Sequence, residues 1–279
     1  MSGSLVLVAT PIGNLGDITR RAIELLEEAD VIFCEDTRRS RTLLSALGIP
    51  AAGRLRALHE HNERALASAV AERVAQGELV ALVSDAGMPG ISDPGTAVVS
   101  ELAARGLPVT VAPGASSVLA ALVLSGLPTE RFCVEGFLPR KGKERRARLA
   151  ALSDEERTSV ILESPRRLAA TLAELARVIG GGRPVVVARE LTKLHEELWR
   201  GSVTEAAAAF AERELRGEIV VVLGGRETED AEVADDEIRA HLAISMAAGG
   251  TRRDAAHAAA AELGVARRRA YELALEQRS

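Results

Sequence analysis

Leu79-Val80-Ala81-Leu82-Val83-Ser84-Asp85-Ala86-Gly87-Met88-Pro89-Gly90-Ile91-Ser92-Asp93-Pro94-Gly95 is the stretch on which the reading of this chain turns. Its apolar first five residues read as a buried strand, and the segment 96–105 that follows reads as a helix. Between them lies a sharp Gly/Pro loop carrying two acids and two hydroxyls. A loop of that kind at the carboxyl end of a strand is where open α/β sheets receive small ligands.

The same alternation runs outward in both directions. Short β-branched runs at 5–9, 31–34, 109–112, 132–135, 159–163, 185–189 and 219–223 are separated by amphipathic stretches such as 19–29, 63–76 and 165–179. That order predicts a largely parallel α/β architecture, with an antiparallel strand possible around 194–203. A break at Ser125-Gly126-Leu127-Pro128-Thr129 divides the pattern into two α/β domains, 1–125 and 126–226. Beyond an acidic link at 227–237, a small helical unit over 233–279 is expected. It ends in two helices, 251–263 and 266–276, broken at Gly264-Val265.

With 279 residues, 47% of them apolar and 27% charged, the chain has ample material for folded cores and is not of disordered type. It has only two cysteines, Cys34 and Cys133, each in an apolar run, which fits a reducing compartment and argues against a disulfide or metal site. No apolar run approaches the roughly 20 residues that span a bilayer, and the opening residues lack a basic leader. A cytoplasmic, membrane-free protein is expected. The net charge of −5 argues against a general basic coat, but the charges are unevenly placed. Arg140, Lys141, Lys143, Arg145, Arg146 and Arg148 form one basic island, and Arg252, Arg253, Arg267, Arg268 and Arg269 form another. Such islands are usually solvated helix faces; here they also suit localised phosphate contacts.

Two further Gly/Pro loops follow strands in the first half, Thr10-Pro11-Ile12-Gly13-Asn14 and Pro113-Gly114-Ala115-Ser116-Ser117. Neither is a dinucleotide or Walker fingerprint. One such loop marks an ordinary turn, whereas three at the ends of successive parallel strands gather on one sheet edge and point to a ligand site.

These residues also resemble a known family. Thr10-Pro11-Ile12-Gly13-Asn14-Leu15-Gly16-Asp17-Ile18-Thr19, Glu35-Asp36-Thr37-Arg38, His59-Glu60-His61-Asn62-Glu63 and the 84–95 loop carry the likeness in the first half. Gly126-Leu127-Pro128-Thr129, Glu135-Gly136-Phe137-Leu138-Pro139-Arg140-Lys141, Glu163-Ser164-Pro165 and the run 188–197 carry it in the second. In order and over residues 5–223 they resemble the bacterial small-subunit (16S) rRNA cytidine 2′-O-methyltransferases of the tetrapyrrole-methylase superfamily. The chain departs from that pattern at Met88, Gly90, Leu162 and Arg166, where threonine, leucine, an aromatic and histidine are usual.

The resemblance implies two α/β domains with a ligand cleft between them, S-adenosylmethionine as methyl donor, 16S rRNA within the small ribosomal subunit as substrate, and a homodimer. It implies donor contacts at Thr10, Pro11, Ile12, Gly13, Asn14, Asp85, Ala86, Gly87, Met88, Ile91, Ser92, Pro113, Gly114, Ala115, Ser116 and Ser117, with Glu163 and Ser164 on the opposite wall. RNA contacts fall to Arg38, Arg140, Lys141, Lys143, Arg145, Arg146, Arg166, Arg252, Arg253, Arg267 and Arg268. Aromatic residues are only 2% of the chain, so stacking platforms are scarce.

Transfer of a methyl group to a hydroxyl needs a proton acceptor in the cleft. Glu35, Asp36, Asp85, Glu190 and Lys193 are the candidates, the last if burial lowers its pKa. Each has a plainer reading: Glu35-Asp36 as a helix cap, Asp85 as a loop or donor anchor, and Glu190 with Lys193 as an ion pair. A porphyrinoid or protein substrate on the same fold, or a DNA-binding regulator built on the helical tail, are the alternatives.

Overall fold

The computed structural model describes residues 3–226 and 233–276. Residues 3–226 belong to one compact unit and 233–276 to a second.

The first sheet is wholly parallel. Its strands are β1 (Ser4–Val8), β2 (Val31–Cys34), β3 (Leu55–Ala57), β4 (Leu79–Val83) and β5 (Val109–Ala112), in the spatial order β3-β2-β4-β1-β5. Both faces of the central strands β1, β2 and β4 are covered, which is why these read as apolar runs. Leu5, Val80 and Leu82 pack against α3 (Glu63–Ala75) and α4 (Thr96–Ala104) on one face. Val6, Val8, Ala81 and Val83 pack against α1 (Arg20–Glu28) and α2 (Thr37–Ala46) on the other. From β1 the chain winds outward to β2, and from β4 it crosses to β5 on the far side of β1. That reversal opens a crevice at the carboxyl edge, between the loops after β1 and β4. β3 gives no sequence signal because it has three residues, one of them Arg56, and pairs only at the sheet edge.

The second sheet is mostly antiparallel, which corrects the expectation of a largely parallel architecture, while the antiparallel strand expected around 194–203 is found at Glu197–Ser202. It comprises β6 (Phe132–Phe137), β7 (Thr158–Glu163), β8 (Pro184–Arg189), β9 (Glu197–Ser202) and β10 (Ile219–Leu223), ordered β6-β7-β10-β8-β9. Only β6 and β7 are parallel; β10 runs antiparallel to both β7 and β8, and β9 antiparallel to β8. The seven-residue connection 190–196 is too short for a parallel crossover, so β9 must return alongside β8. β10 is buried on both faces, and its sequence IVVVL reads alike in either direction.

Helices α6 (Gly142–Asp154), α7 (Leu168–Ile179) and α8 (Val203–Phe210) cover one face of this sheet. The other face is covered by α5 (Ser117–Ser125), a helix from the first half of the chain. Its Val118, Ala121 and Leu122 pack with Ile12 against Val160, Val186, Val220 and Val222. This spacing is one helical stripe, and it seals the two sheets into one unit.

Arg145 belongs to this packing and is not an RNA contact. It lies on α6 at 7% exposure, donating to Glu174 at 2.6 Å, to the Pro139 carbonyl and to the Thr171 hydroxyl. Helical periodicity turns that one position of the basic island inward while Arg140, Lys141, Lys143 and Arg146 stay exposed.

In the second compact unit, α9 (Asp235–Ala247), α10 (Arg252–Leu263) and α11 (Arg267–Glu276) close around Ile238, Leu242, Ala255, Ala259, Ala270 and Leu273. α9 begins inside the segment expected to be a link, because Asp235, Asp236 and Glu237 form its first turn, where acidic groups favour a helix. Residues 227–232 of that link, and Gln277 at the chain end, lie outside the described residues.

Replacing Arg145 by Ala leaves Glu174 and the Thr171 and Pro139 acceptors unpaired. It should lower the unfolding free energy by about 2–3 kcal/mol, as measured by urea unfolding, while Lys143→Ala should leave the transition unmoved.

Candidate active site

The loops after β1, β4 and β5 meet at the carboxyl edge of the first sheet. Thr10 and Gly87 form an antiparallel bridge, Thr10 N–H to Gly87 O at 2.9 Å and Gly87 N–H to Thr10 O at 3.1 Å. The Thr10 hydroxyl donates to the Ser84 carbonyl, and the Ser84 hydroxyl donates to the Gly87 carbonyl. Thr10 is 1% exposed, so its side chain ties loops together and is not presented to a ligand. The far end of the long loop is held by Glu63, whose Oε2 accepts from the Gly95 N–H at 2.7 Å. At the tip, Ser92 takes a left-handed φ of 60° and abuts Gly136, where β6 shifts register. A non-glycine residue in that region is uncommon and here sits where the two lobes meet.

A cavity of about 320 Å³ lies between these loops and the second sheet. The long loop contributes Asp85, Ala86, Gly87, Met88, Ile91, Ser92 and Asp93 to it. Ile12, Ser116, Ser117 and Val118 add a second side, and Leu162, Glu163, Ser164, Pro165 and the strip 217–220 close the opposite wall. Arg39 and Phe137 complete the lining.

Several residues expected at the site stand elsewhere. Pro11, Gly13, Asn14, Pro113, Gly114 and Ala115 do not line the cavity. The Asn14 side chain caps the short 3-10 turn Leu15–Asp17 by accepting from Gly16 N–H. At Gly13 a Cβ would run into the Lys193 side chain, so the first loop needs glycine to lie against the second lobe. The Glu163 carboxylate is wholly buried and consumed by the Ser164 N–H at 2.8 Å, the Thr171 hydroxyl at 2.6 Å and Arg167 at 3.2 Å. His59 and His61, in the motif before α3, do not line the cavity; Asn62 Oδ1 accepts from the His59 N–H and makes that turn.

The proton-acceptor candidates separate by their bonding. Asp36 caps α2 through the Arg38 N–H and is forked by the Arg38 guanidinium at 2.7 Å, hydrogen bonds that hold its carboxyl well below the usual range. Glu35 is exposed and raised, first by desolvation and then by Asp85, but it does not line the cavity. Glu190, at a left-handed φ of 51°, accepts from Lys193 Nζ at 2.7 Å and from the Glu218 N–H at 2.9 Å. Burial raises its carboxyl, yet these hydrogen bonds outweigh it and the net shift is downward. Gly217 leaves room for that carboxylate, since a Cβ there would collide with it. Burial likewise pulls Lys193 down, but its bonds to Glu190 and Glu218 prevail and keep it charged, so the condition for a lysine base is not met. Asp85 accepts from the Asp36 N–H at 3.1 Å and faces Arg39 at 3.4 Å.

The second acid of the 84–95 loop is outside that set of candidates. Asp93 lines the cavity, and desolvation, then the charge of Glu35, raises its carboxyl to about 6. Its position in the loop was visible in the sequence; its burial beside other carboxylates was not. Among the described residues no cluster of three metal-ligating side chains occurs, and no helix is long and apolar enough to cross a membrane.

Two α/β lobes with a cavity at the strand-end loops form a fold that receives a small ligand. Residues 4–207 match the model of the Tetrapyrrole (Corrin/Porphyrin) Methylases, and the chain belongs to that family. It is 43% identical to a Synechocystis protein named Ribosomal RNA small subunit methyltransferase I, over 98% of each chain. A Mycobacterium tuberculosis protein of the same name is 46% identical, over 99% of this chain and 96% of that one. Among solved structures, the uroporphyrin-III C-methyltransferase of Thermus thermophilus complexed with S-adenyl homocysteine is 26% identical, with a TM-score of 0.54. That alignment covers 80% of this chain and 92% of the other.

The raised Asp93 carboxyl has a consequence for stability. Its folded pKa lies above its unfolded value, so the ionised form weakens the folded state. The penalty is absent below about pH 4, grows as pH rises towards about 6 and is complete above that. In thermal melts Asp93→Asn should therefore gain on the parent across that window, and parallel melting curves at every pH would contradict the assignment.

Proposed function

We propose that this protein transfers a methyl group from S-adenosylmethionine to the ribose 2′-hydroxyl of a cytidine in 16S ribosomal RNA of the small subunit. The observation that carries the reading is similarity along nearly the whole chain to relatives named for small-subunit rRNA methylation. A solved relative of the same fold holding the demethylated form of the donor supports the choice of methyl source.

The cavity suits that donor. Its volume falls in the range of small-ligand pockets. Ile12, Met88, Val118, Leu162 and Val220 offer apolar walls, and Ser92, Ser116, Ser117 and Ser164 offer hydroxyls. When bound, S-adenosylmethionine supplies an electrophilic methyl group on a cationic sulfur. Asp85 faces that site with its charge offset by Arg39, so this group adds little to ground-state stabilisation of the cation that the reaction consumes. The backbone bridge between Thr10 and Gly87 and the Glu63–Gly95 hydrogen bond keep the loop rigid, so reacting atoms can be held in line.

RNA phosphates would be met by Arg140, Lys141, Lys143 and Arg146 on the exposed side of α6 and the turn before it, and by Arg166 beside Ser164 and Pro165. Arg38 and Arg41 flank a shallow depression on α2 that extends this set. In the helical unit, Arg253, His257, Arg267, Arg268 and Tyr271 surround a groove of about 420 Å³, with Arg252 adjoining in sequence. Such contacts position RNA without reading its bases.

An exposed apolar face on α5 supports the homodimer reading. Leu119, Val123 and Leu124 form an exposed apolar face on a helix whose other face is core, and Phe132 and Val134 are exposed on edge strand β6. The cytoplasm is the compartment where such a substrate is found.

Incubation of small ribosomal subunits with methyl-labelled S-adenosylmethionine, followed by nucleoside analysis, should yield labelled 2′-O-methylcytidine. Label in a modified base, a porphyrinoid or protein would overturn the reading. The triple variant Lys141→Ala, Lys143→Ala, Arg146→Ala should bind subunit RNA more weakly, with its salt-dependence slope reduced by about 2, and melt as the parent does.

A further inference from the structure

Four acidic residues line the cavity, Asp85, Asp93, Glu163 and Glu218, the Glu163 carboxylate itself being fully buried. Three are committed. Asp85 is held by the Asp36 N–H and Arg39, Glu163 by three donors, and Glu218 by Lys193 at 3.1 Å. Among the described residues no lysine, arginine or histidine pairs with Asp93. A carboxylate already held by a cation or by backbone N–H groups is engaged before substrate arrives; one at a cavity wall with no cationic partner is available.

Its mounting is rigid on both sides. Ser92, the preceding residue, is fixed at positive φ against Gly136 of the second lobe, and Gly95, two residues on, is bonded to Glu63. The groups facing it are Glu35 from the end of β2, Asp85 and the Ser84 hydroxyl from its own segment, and Glu218 from the entrance to β10. Of these only Ser84 favours its ionised form; burial and the three acids favour the proton. Arg39 on α2, the one cationic residue in the described lining, is engaged with Asp85, and His59 acts on Glu35.

We propose that Asp93 is the proton acceptor of the methyl transfer, a role that rests on the ribose-methylation reading above. The O2′–H bond breaks and its proton passes to an Asp93 carboxylate oxygen. The electron pair left on O2′ forms the new bond to the methyl carbon, and the pair of the broken carbon–sulfur bond stays on sulfur, which becomes neutral. The Asp93 proton then passes to water, and at neutral pH the carboxylate is regenerated. A carboxylate raised towards neutrality is a stronger base than an ordinary aspartate while still ionised at the working pH.

The test uses the full-length Asp93→Asn and Asp93→Glu variants in single-turnover methylation of small subunits, from about pH 5 to about pH 9, alongside calorimetric titration with S-adenosylmethionine, thermal melts and a carbon-13 carboxyl titration of the free protein. The expected result is that Asp93→Asn binds the donor within about threefold of the parent and melts no lower at about pH 8. Its rate should fall by about 10²-fold or more, and the acid limb of the pH–rate profile should disappear. Asp93→Glu should recover part of the rate, and the parent should show a carboxyl titrating near 6 that the Asn variant lacks. Retention of rate within threefold would overturn the proposal and leave the reading intact. Loss of donor binding or of folding in parallel with rate would assign Asp93 to loop structure and overturn it as well. A parent enzyme that labels no ribose defeats the reading itself, and the proposal with it.

Discussion

Two backbone hydrogen bonds between Thr10 and Gly87 set where everything else at the cleft can stand. Parallel strands end without partners for their loop backbones, and a buried loop must find such partners or lose the free energy of unmade hydrogen bonds. Here the loops after β1 and β4 find them in each other, reinforced by the Thr10 and Ser84 hydroxyls. The bridge brings Ile12 and the 85–93 wall to the same cavity. It also lets Ile12 join α5 in the apolar seam on the second sheet. The cavity is thus the gap left between two sheets clamped at a fixed distance.

Charge pairing decides which side chains remain free around that gap. Arg38 is drawn to Asp36, Arg39 to Asp85, Arg167 to Glu163 and Lys193 to Glu190 and Glu218. These pairs are partly exposed for the most part, and each contributes modestly to stability. Their larger effect is to hold the loop ends still, while Asp93, and Lys143 and Arg146 on α6, stay outside these ion pairs. A rigid surround with few free groups is what an active site needs if its charges are to be oriented before substrate arrives.

Much of the first lobe was legible because its physics is local. Leu79–Val83 followed by a Gly/Pro loop, the Asp36 cap and the helical periods of α1 and α3 each depend on neighbours in sequence. What was not legible depends on partners far along the chain. Asn14 looked like a ligand group and is spent on its own turn. Arg145 looked like one cation of an exposed run and is buried between α6 and α7, since only packing shows which face of a helix is covered. The antiparallel β10 escaped because a strand buried on both faces carries no record of its direction.

By itself the sequence determined the alternation of strands and helices, the family the chain belongs to, and the three loops that turn at strand ends, because turn chemistry and hydrophobic period are properties of adjacent residues. The tertiary structure alone decided which loop residues reach the cavity, which acids are paired, and that Asp93 is raised while Lys193 stays charged. Those outcomes depend on desolvation and on charges brought together across tens of residues, and neither exists until the chain has folded.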